Sequence, residues 1–323
     1  MMASMLWLML GTMGLTFGYP IYNGQDEDSF DAVVSLGVQV GDDVMSMCTG
    51  TIITKRVILT AGHCGEGVDP EMVVEFGRAF VGPVASDAQY VLELADAATH
   101  PDYVALEGSD LGAYDAGILV LAEDAPVDPM RIRLDEFTDD DQGAEVLSVG
   151  YGITGASEND GGVKRSALLT IDSITDQFLI SRSITNESRA NVCSGDSGGP
   201  QLFEEDGEWV QWAVHSWADS TCQSRSGSQR MDLILDWVLE EVEAAHGTAD
   251  LCEARGQYGD GTCDVYCDVD PDCVADTGYF DESPTKGGGC ACGSVSQRLG
   301  GVWIAMWGVL MVLCRRKDII TAA

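Results

Sequence analysis

Basic side chains are scarce. Lysine and arginine together number 17 against 53 aspartates and glutamates, a formal net charge of −36 over 323 residues. A surface of that sign repels a phosphate backbone, so nucleic acid is excluded as a partner. The same charge suits an exported protein that stays soluble, and it carries no information about fold. Histidine is scarcer still, with four in the chain, and only His63 has neighbours that suggest chemistry. No histidine falls inside the cluster Cys252, Cys263, Cys267 and Cys273, which weakens a zinc reading of those cysteines. Long apolar runs are also missing: residues 299–314 form the longest near the C-terminus, and that is short for a membrane span.

What the chain does have is length for more than one domain and an ordinary hydrophobic share of 45%. Eleven cysteines are many, and in an exported chain they suggest a disulfide framework. Residues 1–18 are apolar and without acidic groups, ending in small residues, as a signal peptide does. No Lys or Arg precedes that apolar run, which departs from the usual pattern.

The chemistry centres on Cys193-Ser194-Gly195-Asp196-Ser197-Gly198-Gly199-Pro200. A glycine-rich turn around a serine lets backbone N–H groups converge on one point, as an oxyanion requires. Serine is a weak nucleophile alone and needs a base with an orienting acid. Thr60-Ala61-Gly62-His63-Cys64 offers the base, at the end of the apolar run Val57-Ile58-Leu59. Asp115, just before Ile118-Leu119-Val120-Leu121, offers the acid. Short alternating strands punctuated by Gly, Asp and Pro run from about residue 31 to 127 and resume from about 144, which indicates β-barrels or sandwiches. Apolar residues Leu235, Val238, Leu239 and Val242 recur at helical spacing, with Asp232 placed to cap the start and Gly247 the end.

In the order His, Asp, Ser, these motifs resemble the chymotrypsin/trypsin-like serine proteases over residues 21–246; other triad families run in different orders. The resemblance implies an all-β fold of two six-stranded antiparallel barrels with a C-terminal helix, and a triad of His63, Asp115 and Ser197 in the cleft between them. It implies an oxyanion hole from the N–H groups of Gly195 and Ser197, and disulfides Cys48–Cys64 and Cys193–Cys222. Ile21-Tyr22-Asn23-Gly24 resembles the family's mature N-terminus, whose new α-amino group pairs with the aspartate before the serine, here Asp196. Pro20 precedes it, so a trypsin-like activator is not expected; an X-Pro dipeptidase or imprecise signal cleavage would expose Ile21. Asn191 falls at the base of the specificity pocket, with Ser216, Trp217 and Ala218 as its wall. With no carboxylate at Asn191, a neutral residue rather than Arg or Lys is expected on the acyl side of the cut bond.

The expected organisation is a signal peptide (1–18), a dipeptide extension (19–20), a catalytic domain (21–247), a Cys/Asp-rich disulfide module (248–275), a Gly-rich linker with a Cys motif (276–293), and a transmembrane segment with a basic tail (294–323). So small a module needs stapling by two disulfides. Its aspartates Asp260, Asp264, Asp268, Asp270 and Asp272 offer oxygens for Ca²⁺, the alternative being an acidic surface; no cofactor is required. Cys290, the apolar run and Arg315-Arg316-Lys317 resemble myxobacterial-type C-terminal sorting signals, which implies a Gram-negative cell envelope or the medium. The partners are then protein or peptide substrates, with the membrane as a temporary anchor and the protein a monomer. The rival is a catalytically silent relative that binds through the same cleft.

Overall fold

A computed structural model describes residues 21–105, 112–184, 189–267 and 270–273. The signal peptide, the dipeptide extension, the linker, the Cys290 motif and the transmembrane segment lie outside the described residues. Among the described residues no helix is long and apolar enough to cross a membrane.

After a two-residue strand β1 (Gln25–Asp26), the first barrel uses β2 (Val33–Val40), β3 (Asp43–Ile52), β4 (Val57–Thr60), β5 (Gly77–Val81), β6 (Tyr90–Thr99) and β7 (Gly117–Leu121). It closes in the order β2-β3-β4-β7-β6-β5, every pair antiparallel. A short helix α1 (Pro70–Phe76) sits between β4 and β5. The second barrel follows β8 (Arg131–Ile132) and uses β9 (Glu145–Gly150), β10 (Arg165–Ile174), β11 (Phe178–Ser183), β12 (Pro200–Glu205), β13 (Glu208–Ala218) and β14 (Ser226–Arg230). The ring runs β9-β10-β11-β14-β13-β12 and back to β9, with β1 added to β10 and β8 running parallel to β13. Closure removes the open edges that would otherwise invite aggregation.

The strands follow their side chains. β4 is apolar at three of its four positions, VILT, and all four are buried, as expected for a strand covered on both faces. One side of it joins Ile53, Ile118 and Val238 in a core, the other joins Val34, Ile52 and Leu121. The barrels are tied by Tyr151, fully buried, whose hydroxyl lies 3.1 Å from the Val33 carbonyl oxygen and 2.5 Å from that of Gly82. Lys164, also fully buried, donates to the carbonyls of Ser29 and Phe30 at 3.0 and 2.9 Å and so pins the segment ahead of β2 to the second barrel.

Helix α2 (Leu235–His246) buries Trp237, Val238 and Val242 and ends at Gly247, whose N–H reaches the Glu243 carbonyl at 2.7 Å. The capping expectation for Asp232 is corrected: Ile234 occupies that position with no side-chain cap. Asp232 instead sits in a 3₁₀ turn, where the Arg230 guanidinium takes both carboxylate oxygens at 3.0 and 2.6 Å and the Phe137 N–H takes one at 3.1 Å. A charged fork offers the carboxylate more than a helix N-terminus does.

The cysteine-rich stretch is not a separate body. Helix α3 (Leu251–Arg255) places Leu251 and Ala254 in the core of β4 and α2, Lys55 donates its N–H to the Ala254 carbonyl at 3.0 Å, and Arg255 donates to the Ile53 carbonyl at 3.0 Å. Disulfides Cys252–Cys267 and Cys263–Cys273 staple the remainder. Leu251→Ala should therefore destabilise the whole catalytic unit by about 2–4 kcal/mol, read as a lower urea midpoint. An unchanged midpoint would mean the stretch folds on its own.

Candidate active site

β4 ends at Thr60, and the chain turns through a 3₁₀ turn, Gly62–Cys64, that delivers His63. Cys48–Cys64 bonds that turn to β3. Asp115 lies just before β7, the neighbour of β4, so strand pairing brings it beside His63. One carboxylate oxygen accepts from the His63 backbone N–H at 2.9 Å and the other meets Nδ1 at 2.8 Å. The Ser216 hydroxyl, near the end of β13, donates to that second oxygen at 2.5 Å. The Asp115 N–H in turn donates to Gln229 Oε1 at 3.1 Å. Burial opposes charging of the imidazole, but the hydrogen bond and charge of Asp115, with Glu66 beyond, outweigh it and hold His63 above its ordinary 6.5. With Nδ1 held by a carboxylate, Nε2 is free to act as a base toward a hydroxyl.

Ser197 lines the same cleft of about 530 Å³ as His63, Asp115, Ser216, Trp217 and Ala218. Its turn is shaped by Gly195 (φ +95°) and Gly198 (φ +84°), where a side chain would be strained. A Cβ on Gly198 would lie 2.1 Å from Thr60 Oγ1 and 2.2 Å from the Thr49 carbonyl oxygen. Thr49 fastens the turn from the first barrel: its N–H donates to the Ser197 carbonyl at 2.8 Å and its hydroxyl to the Gly195 carbonyl at 2.8 Å. Among the described residues, no acceptor takes the N–H of Gly195 or of Ser197. The Cys193–Cys222 disulfide anchors the turn on its other side.

Asp196 is fully buried against Gly150 and Gly152 and accepts from the N–H groups of Gly152 at 2.7 Å and Cys193 at 2.8 Å. Burial dominates and pushes its carboxyl up to about 7, against those two N–H groups and the charge of Arg165. Ile21 is also fully buried, with Ala167 and Ala190, and Tyr22 bridges to Asn191. Residues 21–22 thus reach the segment that leads into the nucleophile turn.

Asn191 is buried and does not line the cleft; its neighbour Val192 does. Its Oδ1 accepts the Val192 N–H at 3.0 Å, and among the described residues its Nδ2 has no partner. The Trp217 indole forms part of the cleft wall and rests on Gly227, where a Cβ would lie 2.3 Å from its Nε1. Phe178 meets the indole edge-on at 6.2 Å between centroids.

The sequence reading missed Gln229 and Thr49. Both are polar residues in β strands, and neither carries a local motif; only the pairings of β14 and β3 bring them to the site. Of the other three histidines, His100 stacks on Tyr114 at 4.9 Å between centroids, His215 is buried and pushed by that burial down to about 3, and His246 pairs with the Thr54 hydroxyl at 2.8 Å.

Among the described residues, one group of three ligand-type atoms lies close together, Cys48, His63 and Cys64, and its two sulfurs are bonded to each other. In the cysteine-rich stretch, Asp260, Asp270 and Asp272 accept backbone N–H groups of Thr262, Asp264 and Gly261. Asp268 lies outside the described residues.

A folded-state value for Asp196 above that of an unfolded aspartate means the fold favours the neutral acid. That contribution is full below about pH 4 and is lost as pH rises through about 7. Thermal unfolding of the uncleaved chain and of Asp196→Asn at stepped pH should show the wild type losing ground to the variant across that window. A wild type that gains ground instead would mean the carboxylate is held as an anion.

The family model described as Trypsin matches residues 21–238. Venom serine protease 34 of Apis mellifera is 22% identical over 213 residues, 62% of this chain and 53% of the relative. Spermosin of Halocynthia roretzi is 26% identical over 204 residues, 56% of this chain and 50% of the relative. The chain spans about half the length of these two curated relatives. The family match begins at buried Ile21 and ends inside α2, so it takes in both barrels and the cleft they share: the chain belongs to the trypsin family.

Proposed function

We propose that the protein is an exported serine endopeptidase. The observation that carries this is the hydrogen-bonded array Ser216–Asp115–His63 sharing one cleft with Ser197 and its two unspent N–H groups. In this mechanism Ser197 Oγ attacks the scissile carbonyl and His63 Nε2 takes its proton. Asp115 keeps the imidazole in the required tautomer and stabilises the imidazolium. The carbonyl oxygen, now negative, is received by the N–H groups of Gly195 and Ser197. His63 protonates the leaving amine, and water then releases the acyl group by the same steps in reverse.

Three further readings belong to the proposal. Exposure of an α-ammonium at Ile21 would give Asp196 the counter-charge that its burial now lacks, ordering the nucleophile turn. With Val192 at the cleft and no carboxylate at Asn191 behind it, a neutral residue is favoured on the acyl side of the cut bond. Four disulfides among the described residues fit an oxidising compartment, with the tail serving as a surface-sorting signal that anchors the chain until cleavage.

Cleavage-site profiling on a mixed peptide library tests the activity. Cleavage should vanish in Ser197→Ala, and a fluorophosphonate should label the wild type at Ser197 alone. Labelling absent in a protein whose N-terminus is Ile21 would favour the silent binding relative. A strong preference for Arg or Lys would overturn the neutral specificity. Because His63 must be neutral to act and lies above its ordinary 6.5, kcat/KM should rise with pH along a limb centred above that value. Asp115→Asn should lower the rate on the order of 10³–10⁴-fold.

A further inference from the structure

The segment that follows β9 is the floor of the nucleophile turn. Gly152 donates its N–H to Asp196 Oδ1 at 2.7 Å, and Ile153 donates its N–H to the Ser194 carbonyl at 2.9 Å. The approach is close: a Cβ on Gly195 would lie 2.9 Å from the Gly152 Cα, and one on Gly152 would lie 2.6 Å from Asp196 Cγ. The aim of the Gly195 and Ser197 N–H groups therefore depends on where Gly152 stands, and stabilisation of an oxyanion depends on that aim.

Arg165 holds this floor from beneath. Strand pairing sets it opposite Gly150 on β9 and Asp26 on β1. It is 5% exposed, and one guanidinium nitrogen donates to the carbonyls of both Gly152 and Asp160, at 3.0 and 3.1 Å. A single side chain thus clasps both ends of the loop 152–160. Asp160 adds a tie inside the loop, its Oδ1 accepting the Thr154 N–H at 2.9 Å. Gly152 is fixed twice, by Asp196 through its N–H and by Arg165 through its carbonyl. A buried guanidinium has lost its water and needs acceptors in exchange; here the loop carbonyls supply them. The carboxylate of exposed Asp26 stands 3.7 Å from Nε, and a pair so open to solvent adds little.

Charge acts in the same direction. Burial raises the Asp196 carboxyl, and the N–H groups of Cys193 and Gly152 work against that burial together with the charge of Arg165. None of these supports requires a terminus at Ile21, which in this chain follows Pro20 through a peptide bond. The N–H groups of Gly195 and Ser197 are already without an acceptor among the described residues.

We propose that Arg165 is a positioning residue for the oxyanion N–H groups: it holds the floor of the nucleophile turn in the cutting arrangement while Ile21 is still joined to Pro20, so that the uncut chain already hydrolyses peptides. The inference rests on the endopeptidase reading and goes beyond it. A free terminus at Ile21 then strengthens an arrangement that Arg165 has formed in advance.

The test compares the full chain, with Pro20 still joined to Ile21 by N-terminal sequencing before and after each assay, with the same protein made to begin at Ile21 by cleavage at an engineered site. The probes are a fluorophosphonate and one quenched-fluorescent peptide. The uncut wild type should label at Ser197 and cut the peptide. In Arg165→Gln, kcat of the uncut chain should fall on the order of 10²-fold with KM nearly unchanged, the loss that a misplaced oxyanion donor brings. The Ile21 form of the same variant, whose ammonium would pair with Asp196, should lose much less. Arg165→Lys should regain part of the uncut chain's kcat, and Asp26→Asn should leave it unchanged. An uncut wild type that neither labels nor cuts, while the Ile21 form does both, overturns the inference and leaves the protease reading standing. An equal loss in both forms of Arg165→Gln that tracks a lower urea midpoint also overturns it, since support of the fold alone would act that way. Failure of both wild-type forms to label or cut removes the endopeptidase reading and the inference with it.

Discussion

Everything in this molecule is arranged around a carboxylate with almost no access to water. Asp115 is 5% exposed, and a buried anion without donors costs several kcal/mol. Its donors come from both halves of the fold: the His63 backbone and ring from the first barrel, the Ser216 hydroxyl from the second. Gln229, also from the second barrel, holds the Asp115 backbone. Satisfying one charge therefore sets how the barrels meet, and the place where they meet is the cleft. The same contacts orient the imidazole, so the structural need and the chemical one coincide.

The few basic residues are spent at joints. Lys164 is buried between the Ser29 and Phe30 carbonyls, and burial lowers it to about 8. Arg165 donates to the Gly152 and Asp160 carbonyls beneath Asp196. Arg255 holds α3 to the first barrel, and Arg230 grips Asp232 at the entrance to α2. In a chain of net charge −36, these cations hold segments together from inside.

Much of the fold was legible because its signals are local. The β4 run, the glycine turn around Ser197 and the helical spacing of Val238 and Val242 each state their structure within a few residues. Asp115 was legible through the strand it precedes. What escaped depends on pairing between distant strands. Thr49 and Gln229 reach the site by register alone, and nothing in Cys48-Thr49-Gly50 or Ser228-Gln229-Arg230 announces a contact with the nucleophile turn or with Asp115. Asp232 misled because the local pattern of an acidic residue before a helix ignores a competing arginine two positions away. The boundary drawn after Gly247 failed to anticipate that Leu251 and Ala254 complete the core begun by β4, since two apolar residues in an acidic stretch give little periodicity. Asn191 sits one layer deeper than its sequence position suggested, with Val192 in front of it.

The indole of Trp217 lies where a side chain on residue 227 would otherwise stand. The two positions are thus bound to one another over evolutionary time. A lineage that replaced Gly227 by any larger residue would have to tilt or shrink the aromatic first, and with it reshape the wall against which substrates are sorted. Drift at a residue that lines nothing would register as a change of diet.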